Sequence, residues 1–318
     1  MAIGPAPTSF HVLHDARPED TTLPAFVVST TRGFLPRAEP VTRLPAEFDA
    51  VESLLSRMSI KTASGEPGLL AHGTFGETLL QELPDLTDAV DKYKENQFIL
   101  TALYRDYCFM ASAYLLEPCH QRFMKGEGYG LGRARLPSVV ALPLVKVSAL
   151  CLKLIRITLP SSIGFKPFME YAGSYALFNY RLADPAQGLH YDNLRLIRAF
   201  ERGMDPKSSE AGFIFVHIDM VKHSGGLIEG AETCLDAAAS NDRKAFDAGL
   251  QKFLDSMVEI NGVMEGMWNK SKPKDYTQFR TFIFGITSQS MFPNGVVYEG
   301  VSEEPMTFRG ESGANDSM

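Results

Sequence analysis

The sequence predicts a mainly α protein: a small N-terminal mixed or helical domain over residues 1–203, then the first part of a larger helical domain over 204–318. Three observations carry this expectation. Apolar residues recur at helical intervals through several long segments. Leu-Pro pairs and Gly-rich stretches punctuate them, and a polar linker rich in Asp, Pro and Ser, Arg202 to Glu210, marks the preferred boundary.

Residues 1–45 are rich in Pro and Thr. With Leu23-Pro24 and Arg32-Gly-Phe-Leu-Pro36 as punctuation they read as an irregular, packed arm rather than long helices. Glu47 to Met58 turns helical, as does Thr78 through Tyr114, where Leu79, Leu83, Leu86, Phe98, Ala102, Tyr104 and Tyr107 recur at roughly helical spacing. Gly126 to Gly132 makes a flexible loop, after which Leu136-Pro137 opens an apolar segment ending near Ile157, and a further loop carries Pro160 to Pro167. The second half is clearer. Gly212 to Leu227 places Phe213, Val216, Met220 and Leu227 on one stripe, and Lys244 to Met267 does the same with Phe246, Leu250, Phe253, Met257, Ile260 and Met264. A second polar linker is expected over Asn269 to Asp275.

Composition narrows the function classes. At 318 residues, 45% hydrophobic and 22% charged, the chain is globular and large enough for one large or two ordinary domains. A net charge of −7 with scattered Lys and Arg gives no electrostatic footprint for nucleic acid or acidic lipid, so a small neutral or zwitterionic ligand is the better match. The longest apolar stretch, Val139 to Leu154, is interrupted by Pro143, Lys146 and Lys153, and no membrane span is expected. His11, His14, Asp15, Arg17, Glu19 and Asp20 occupy the place of a signal peptide's apolar core, which points to the cytoplasm.

Cys108, Cys119, Cys151 and Cys234 are widely spaced and read as free thiols without zinc-site spacing. On a helix His217 and His223 point about 240° apart and cannot share a metal. The remaining histidines, His11, His14, His72, His120 and His190, read as structural or exposed. No Gly-x-Ser-x-Gly elbow is present, and Gly128-x-Gly130-x-Gly132 lacks the strand and helix that a phosphate cradle requires.

The most informative motifs lie near the C-terminal end. Arg280-Thr-Phe-Ile-Phe-Gly285 is followed by Val297-Tyr-Glu-Gly300 and then by the loop Gly310-Glu-Ser-Gly313. Together with Arg32-Gly-Phe-Leu-Pro36, Leu83-Pro-Asp-Leu86, Leu136-Pro137, Ala141-Leu-Pro143 and the segment Tyr171 to Tyr180, all in matching order, they resemble the haem-dependent indoleamine/tryptophan 2,3-dioxygenases. The resemblance covers essentially the whole chain and departs from the family in places. Asn179-Tyr180 stands for Asn-Trp, Glu311 interrupts the Gly-Gly-Ser loop, Asn315-Asp-Ser317 stands for Gln-Ser-Ser, and Asp275 replaces one of two adjacent aromatics, Tyr276 being the other.

The resemblance implies a helical haem domain, haem b with dioxygen, an indole substrate such as tryptophan, cleavage of its C2–C3 bond to N-formylkynurenine on the kynurenine pathway, and a monomer. It also places the iron-ligating histidine beyond Met318. On that expectation the chain is the first two-thirds of such an enzyme, holds haem weakly or not at all, turns over weakly or not at all, and exposes an apolar face. The rival expectation is a truncated or non-catalytic relative, a helical binding or signalling protein without haem. A third option makes His217 the sole axial ligand.

Among candidate site residues, Arg280 carries a planar guanidinium suited to clamp an amino-acid carboxylate, the role the resemblance gives it; an ordinary helix-end ion pair is the alternative. Phe213 and His217 lie four apart, on one helix face. In the resemblance they form the distal wall over the haem, Phe213 packing on the substrate ring and His217 hydrogen-bonding the indole N–H or bound dioxygen. A histidine satisfied by a backbone carbonyl remains open. The resemblance adds Tyr276 and the closing loop with Ser312 and Gly313 to the substrate and cofactor side. Tyr175 and Ala176 read equally as pocket wall or as core.

Overall fold

The computed structural model describes residues 12–158 and 165–309; of residues 152–158 only the backbone is described. His11, most of the Pro160 to Pro167 loop and the Gly310 to Gly313 loop, with Ser312 and Gly313, lie outside the described residues.

The protein is mainly α. In order, a 3-10 turn at Ala46–Phe48 leads into α1 (Asp49–Met58), α2 (Leu69–His72), α3 (Phe75–Glu82), a second 3-10 turn (Ala89–Tyr93), α4 (Gln97–Met124), β1 (Arg135–Leu136) and α5 (Ser138–Thr158). A single π-turn (Tyr171–Tyr175), the antiparallel ribbon of β2 (Tyr180–Leu182) and β3 (Leu194–Leu196), and then α6 (Ser209–Val221), α7 (Ser224–Ser240), α8 (Arg243–Glu265), α9 (Met267–Lys270) and α10 (Pro273–Phe279) follow. The turn Arg280–Ile283 continues α10, and β4 (Val297–Tyr298) pairs in parallel with β1.

The core is organised around α4. Its 28 residues span about 42 Å, and it is buried nearly all round, so it has no polar stripe to place at the surface. Asn96 caps its start by accepting from Ile99 N at 3.1 Å. Pro118, inside the helix, has no N–H for the carbonyl of Tyr114, and the Arg133 guanidinium donates to that oxygen instead. A second guanidinium nitrogen of Arg133 reaches Glu117 Oε2 at 2.6 Å. The buried Glu117 carboxylate in turn accepts from Phe75 N (2.6 Å) and Gly76 N (3.0 Å), the otherwise orphaned donors at the start of α3.

Two of the sequence motifs are anchors of this core. Leu136 pairs with Tyr298, whose hydroxyl donates to Pro167 O at 2.8 Å, so the Val-Tyr-Glu-Gly turn closes onto the Leu-Pro start of α5. Gly33, at φ +60°, packs so closely on Ser224 and Gly225 that a Cβ would overlap Ser224 Oγ, and Phe34 N donates to that oxygen at 3.0 Å. Arg37, 1% exposed, holds the irregular arm by donating to the carbonyls of Ala16, Arg17, Asp20, Leu23 and Pro24.

The structure corrects several element boundaries. The Thr78 to Tyr114 pattern is not one helix: Leu83-Pro84 stops α3, because the residue before a proline is driven out of the α region, and α4 restarts at Gln97. Gly212 to Leu227 likewise splits at Lys222-His223 between α6 and α7. The Asn269 to Asp275 linker is mostly helical, divided between α9 and α10. On α8 the helix stands as predicted and most of its stripe is uncovered: Leu250, Phe253, Met257 and Met264 are exposed, together with Leu254, Val258 and the neighbouring Trp268, while Ile260 packs against the core.

Candidate functional site

α6 begins at Ser209 with Ser208 as its cap, accepting from Ala211 N at 3.1 Å. Gly212 lets it approach α9, since a Cβ there would come within 1.9 Å of Lys270 O. α10 is tied to the same helix start: Ser209 Oγ donates to Asp275 Oδ2 at 3.0 Å and accepts from Lys272 N at 3.1 Å. These contacts set Phe213 and His217 of α6 beside Tyr276 of α10.

The result is an aromatic wall. Ring centroids of Phe213 and Tyr276 are 5.5 Å apart, Phe213 and His217 4.6 Å, and His217 and Tyr171 5.3 Å in an edge-to-face arrangement. Phe213 and His217 are half-buried. His217 Nδ1 lies 2.8 Å from Phe213 O, and because a carbonyl only accepts, Nδ1 carries the proton. Burial pushes the imidazole pKa down and keeps it neutral, outweighing that hydrogen bond. Nε2 is therefore an acceptor. It has no partner among the described residues and is not sealed from solvent.

Arg280 follows Tyr276 by one turn, at the end of α10. Its guanidinium is exposed, lies 5.3 Å from the Phe284 ring centroid, and has no ion-pair partner among the described residues. Tyr276 has its hydroxyl pKa raised by burial, with the Arg280 charge pulling the other way.

Tyr175 and Ala176 sit behind this wall, 1% and 0% exposed. Tyr175 packs among Tyr171, Phe109 and Phe200, and its hydroxyl donates to Glu210 Oε1 at 3.1 Å. Glu210 was not legible as a site residue in the sequence. It is fully buried in the first turn of α6, where Glu210 Oε2 accepts from Phe200 N (2.8 Å) and Glu201 N (2.6 Å). Burial outweighs those bonds and pushes its pKa up to about 8. A Glu one residue past a Ser-Ser start is the only sequence signal, and it reads as a dipole-favoured acid rather than a buried one. Deeper still, His120 on α4 lies 4.9 Å from Phe282, buried, with its pKa pushed down to about 4 by burial.

A helical scaffold here presents an aromatic wall, a neutral imidazole with one free nitrogen and an unpaired arginine, groups whose chemistry suits an aromatic ring and an anion. The chain belongs to the indoleamine 2,3-dioxygenase family, whose profile matches residues 22–318. Indoleamine 2,3-dioxygenase 2 of Mus musculus is 26% identical over 197 residues, 62% of this chain and 44% of that protein. Its Homo sapiens counterpart is 28% identical over 193 residues, 60% of this chain and 43% of that protein. A protein named myoglobin from Haliotis diversicolor is 26% identical over 246 residues, 75% of this chain and 58% of that protein. The matched stretch is thus less than half the length of the two dioxygenases. Among the described residues no helix is long and apolar enough to cross a membrane, and no cluster of three or more His, Cys, Asp or Glu side chains is placed to hold a metal ion.

Proposed function

We propose that this chain supplies the substrate side of a haem-dependent dioxygenase acting on the C2–C3 bond of tryptophan or a related indole, giving N-formylkynurenine. The observation that carries the reading is the unpaired Arg280 guanidinium one turn from an aromatic wall made by Phe213, His217 and Tyr276. The residues present fit one face of a haem: the wall is aromatic, and His217 offers a nitrogen whose tautomer is fixed by a backbone carbonyl. Phe213 and His217 would hold that face, joined by Ser312 and Gly313 in the family resemblance. When bound, haem supplies dioxygen binding and the oxygen chemistry.

The protein's own part is binding and orientation. Arg280 receives the substrate carboxylate, bidentately where geometry allows, and Phe213 with Tyr276 stacks the ring. His217 Nε2, an acceptor in this tautomer, receives the indole N–H. In this tautomer it has no proton to donate to dioxygen, which supports the indole N–H role over the other.

A second reading, reversible dioxygen binding without oxygenation, is favoured by the kinship with the Haliotis diversicolor protein named myoglobin. One experiment separates the two. The chain is titrated with haem b, reduced, and its ferrous–CO spectrum recorded with and without L-tryptophan, alongside an N-formylkynurenine assay. The dioxygenase reading expects a saturable Soret band that shifts with tryptophan, the shift being lost in Arg280→Ala while the band remains. A band indifferent to tryptophan, without product, favours the second reading. The spectrum of free haem, together with a melting temperature indifferent to tryptophan, overturns both.

A further inference from the structure

A cavity of about 770 Å³ lies away from the aromatic wall. It is formed by the chain leading into α1, by the exposed flank of α1, by β2 and by the segment after β3; none of the wall residues lines it. At its edge Arg198 is 8% exposed and already committed on two sides. Its Nε and Nη2 hold Asp106 at 3.0 and 2.7 Å, and Nη2 also lies 2.9 Å from Glu52 Oε1. Asp106 is shared with the fully buried Arg105, and Glu52 Oε1 also accepts from Leu44 N at 2.7 Å, so both carboxylates already have other partners. The remaining Nη1 of Arg198 has no partner among the described residues and is not sealed from solvent.

Arg181, on β2, lines the same cavity. It is half-buried and has neither a hydrogen bond nor an ion pair among the described residues. In the ribbon it stands directly opposite Arg195, a like-charge pairing that destabilises an antiparallel ladder. Arg195 is turned onto the Asp192 and Leu194 carbonyls at 2.9 and 2.6 Å, which leaves Arg181 as the open cation. Arg43 at the rim is already paired with Asp49 at 3.1 Å. Four arginines, Arg43, Arg105, Arg181 and Arg198, therefore share three acids, Asp49, Glu52 and Asp106. A half-buried guanidinium with no protein partner, facing a like charge across the ribbon, is an open set of donors for an anion. Leu55, Ile197 and Met204 give the cavity apolar wall, and its volume is that of an organic ligand rather than a bare ion.

We propose that this cavity binds a small organic anion, its carboxylate or phosphate group held between Arg181 and the free edge of Arg198 and its carbon skeleton against Leu55, Ile197 and Met204. Arginine recognises both groups through the same planar fork, so the shared chemistry is the oxyanion. The site is independent of the haem reading.

The test is isothermal titration at low ionic strength with three probes, inorganic phosphate, glucose 6-phosphate and citrate, against the unmodified chain, Arg181→Gln and Arg280→Gln. Arg181 has no partner to lose and faces a like charge across the ribbon, so Arg181→Gln is expected to fold with an unchanged or slightly raised melting temperature in the absence of anion. At least one organic probe should bind saturably, roughly tenfold more weakly or worse in Arg181→Gln and unchanged in Arg280→Gln. Preference for glucose 6-phosphate identifies a phosphate ester and preference for citrate a carboxylate. Absence of saturable binding of every probe up to ~10 mM, or binding indifferent to Arg181→Gln, overturns the proposal.

Discussion

Glu210 makes the stability of this protein depend on pH in an unusual direction. Burial lifts its pKa from 4.5 to about 8, so between those values the folded protein keeps a proton that the unfolded chain has released. Stability is then highest at acid pH and falls as pH rises through the window, the reverse of an ordinary ion-paired carboxylate. From pH 6 to pH 9 the linkage amounts to about 3 kcal/mol for this one group. At ~2 °C per kcal/mol for a chain of this size, the melting temperature should drop by roughly 5 °C. Glu210→Gln keeps an acceptor for the Phe200 and Glu201 amides and cannot ionise, so its curve should be flatter by that amount. Glu201, also raised by burial, is common to both proteins, so the comparison isolates Glu210. Scanning fluorimetry of the two proteins across pH 6 to 9 decides the matter: parallel curves would show that Glu210 is ionised in the folded state and would refute the argument.

Two further expectations concern packing. Gly212→Ala should cost ~1–3 kcal/mol and weaken tryptophan binding, because its Cβ meets the Lys270 carbonyl and drives α9 and α10 from α6, whereas Gly262→Ala, with nothing within 4 Å, should be neutral or stabilising; equal melting temperatures would remove the close approach from the account. The double change Leu254→Glu with Met257→Lys on the exposed face of α8 should alter stability by less than ~0.5 kcal/mol and reduce binding of a hydrophobic dye; a large loss of stability would mean that this face is packed.

What the sequence made legible followed from local rules. The period of apolar residues located α1, α6 and α8, and the four-residue spacing put Phe213 and His217 on one face. Periodicity reports amphipathic character and not what covers it, which is why the α8 stripe could be counted but not assigned to the core. Breaks fared worse. Leu83-Pro84 carries a local signal, yet the apolar spacing runs straight across it, and Lys222-His223 carries almost none. Long-range polar contacts were out of reach. The five carbonyls gathered by Arg37 and the Arg105, Asp106, Arg198 and Glu52 cluster join segments far apart in the chain. No spacing rule links Arg133 to the carbonyl freed by Pro118. Glu210 shows the limit most clearly, since its identity is that of a surface acid and only the fold buries it.

The departure at Asp275 bears on what the site recognises. Where the family pattern has an aromatic, this carboxylate accepts from Ser209 Oγ, so it serves the α6–α10 junction and adds no ring to the wall. Tyr276 alone contributes α10's share, placed by that junction against Phe213. The wall is then less greasy than two adjacent aromatics would make it, and its one free polar atom on α6 is an acceptor, His217 Nε2. A flat ligand with an N–H at its edge and a carboxylate toward Arg280 satisfies both groups, whereas a wholly apolar ring leaves His217 desolvated and unpaired, at a cost of about 1–3 kcal/mol. Under the proposed function, discrimination between indoles therefore resides in the ring N–H more than in ring size, and an N-methylated indole should bind more weakly than its parent by about that amount.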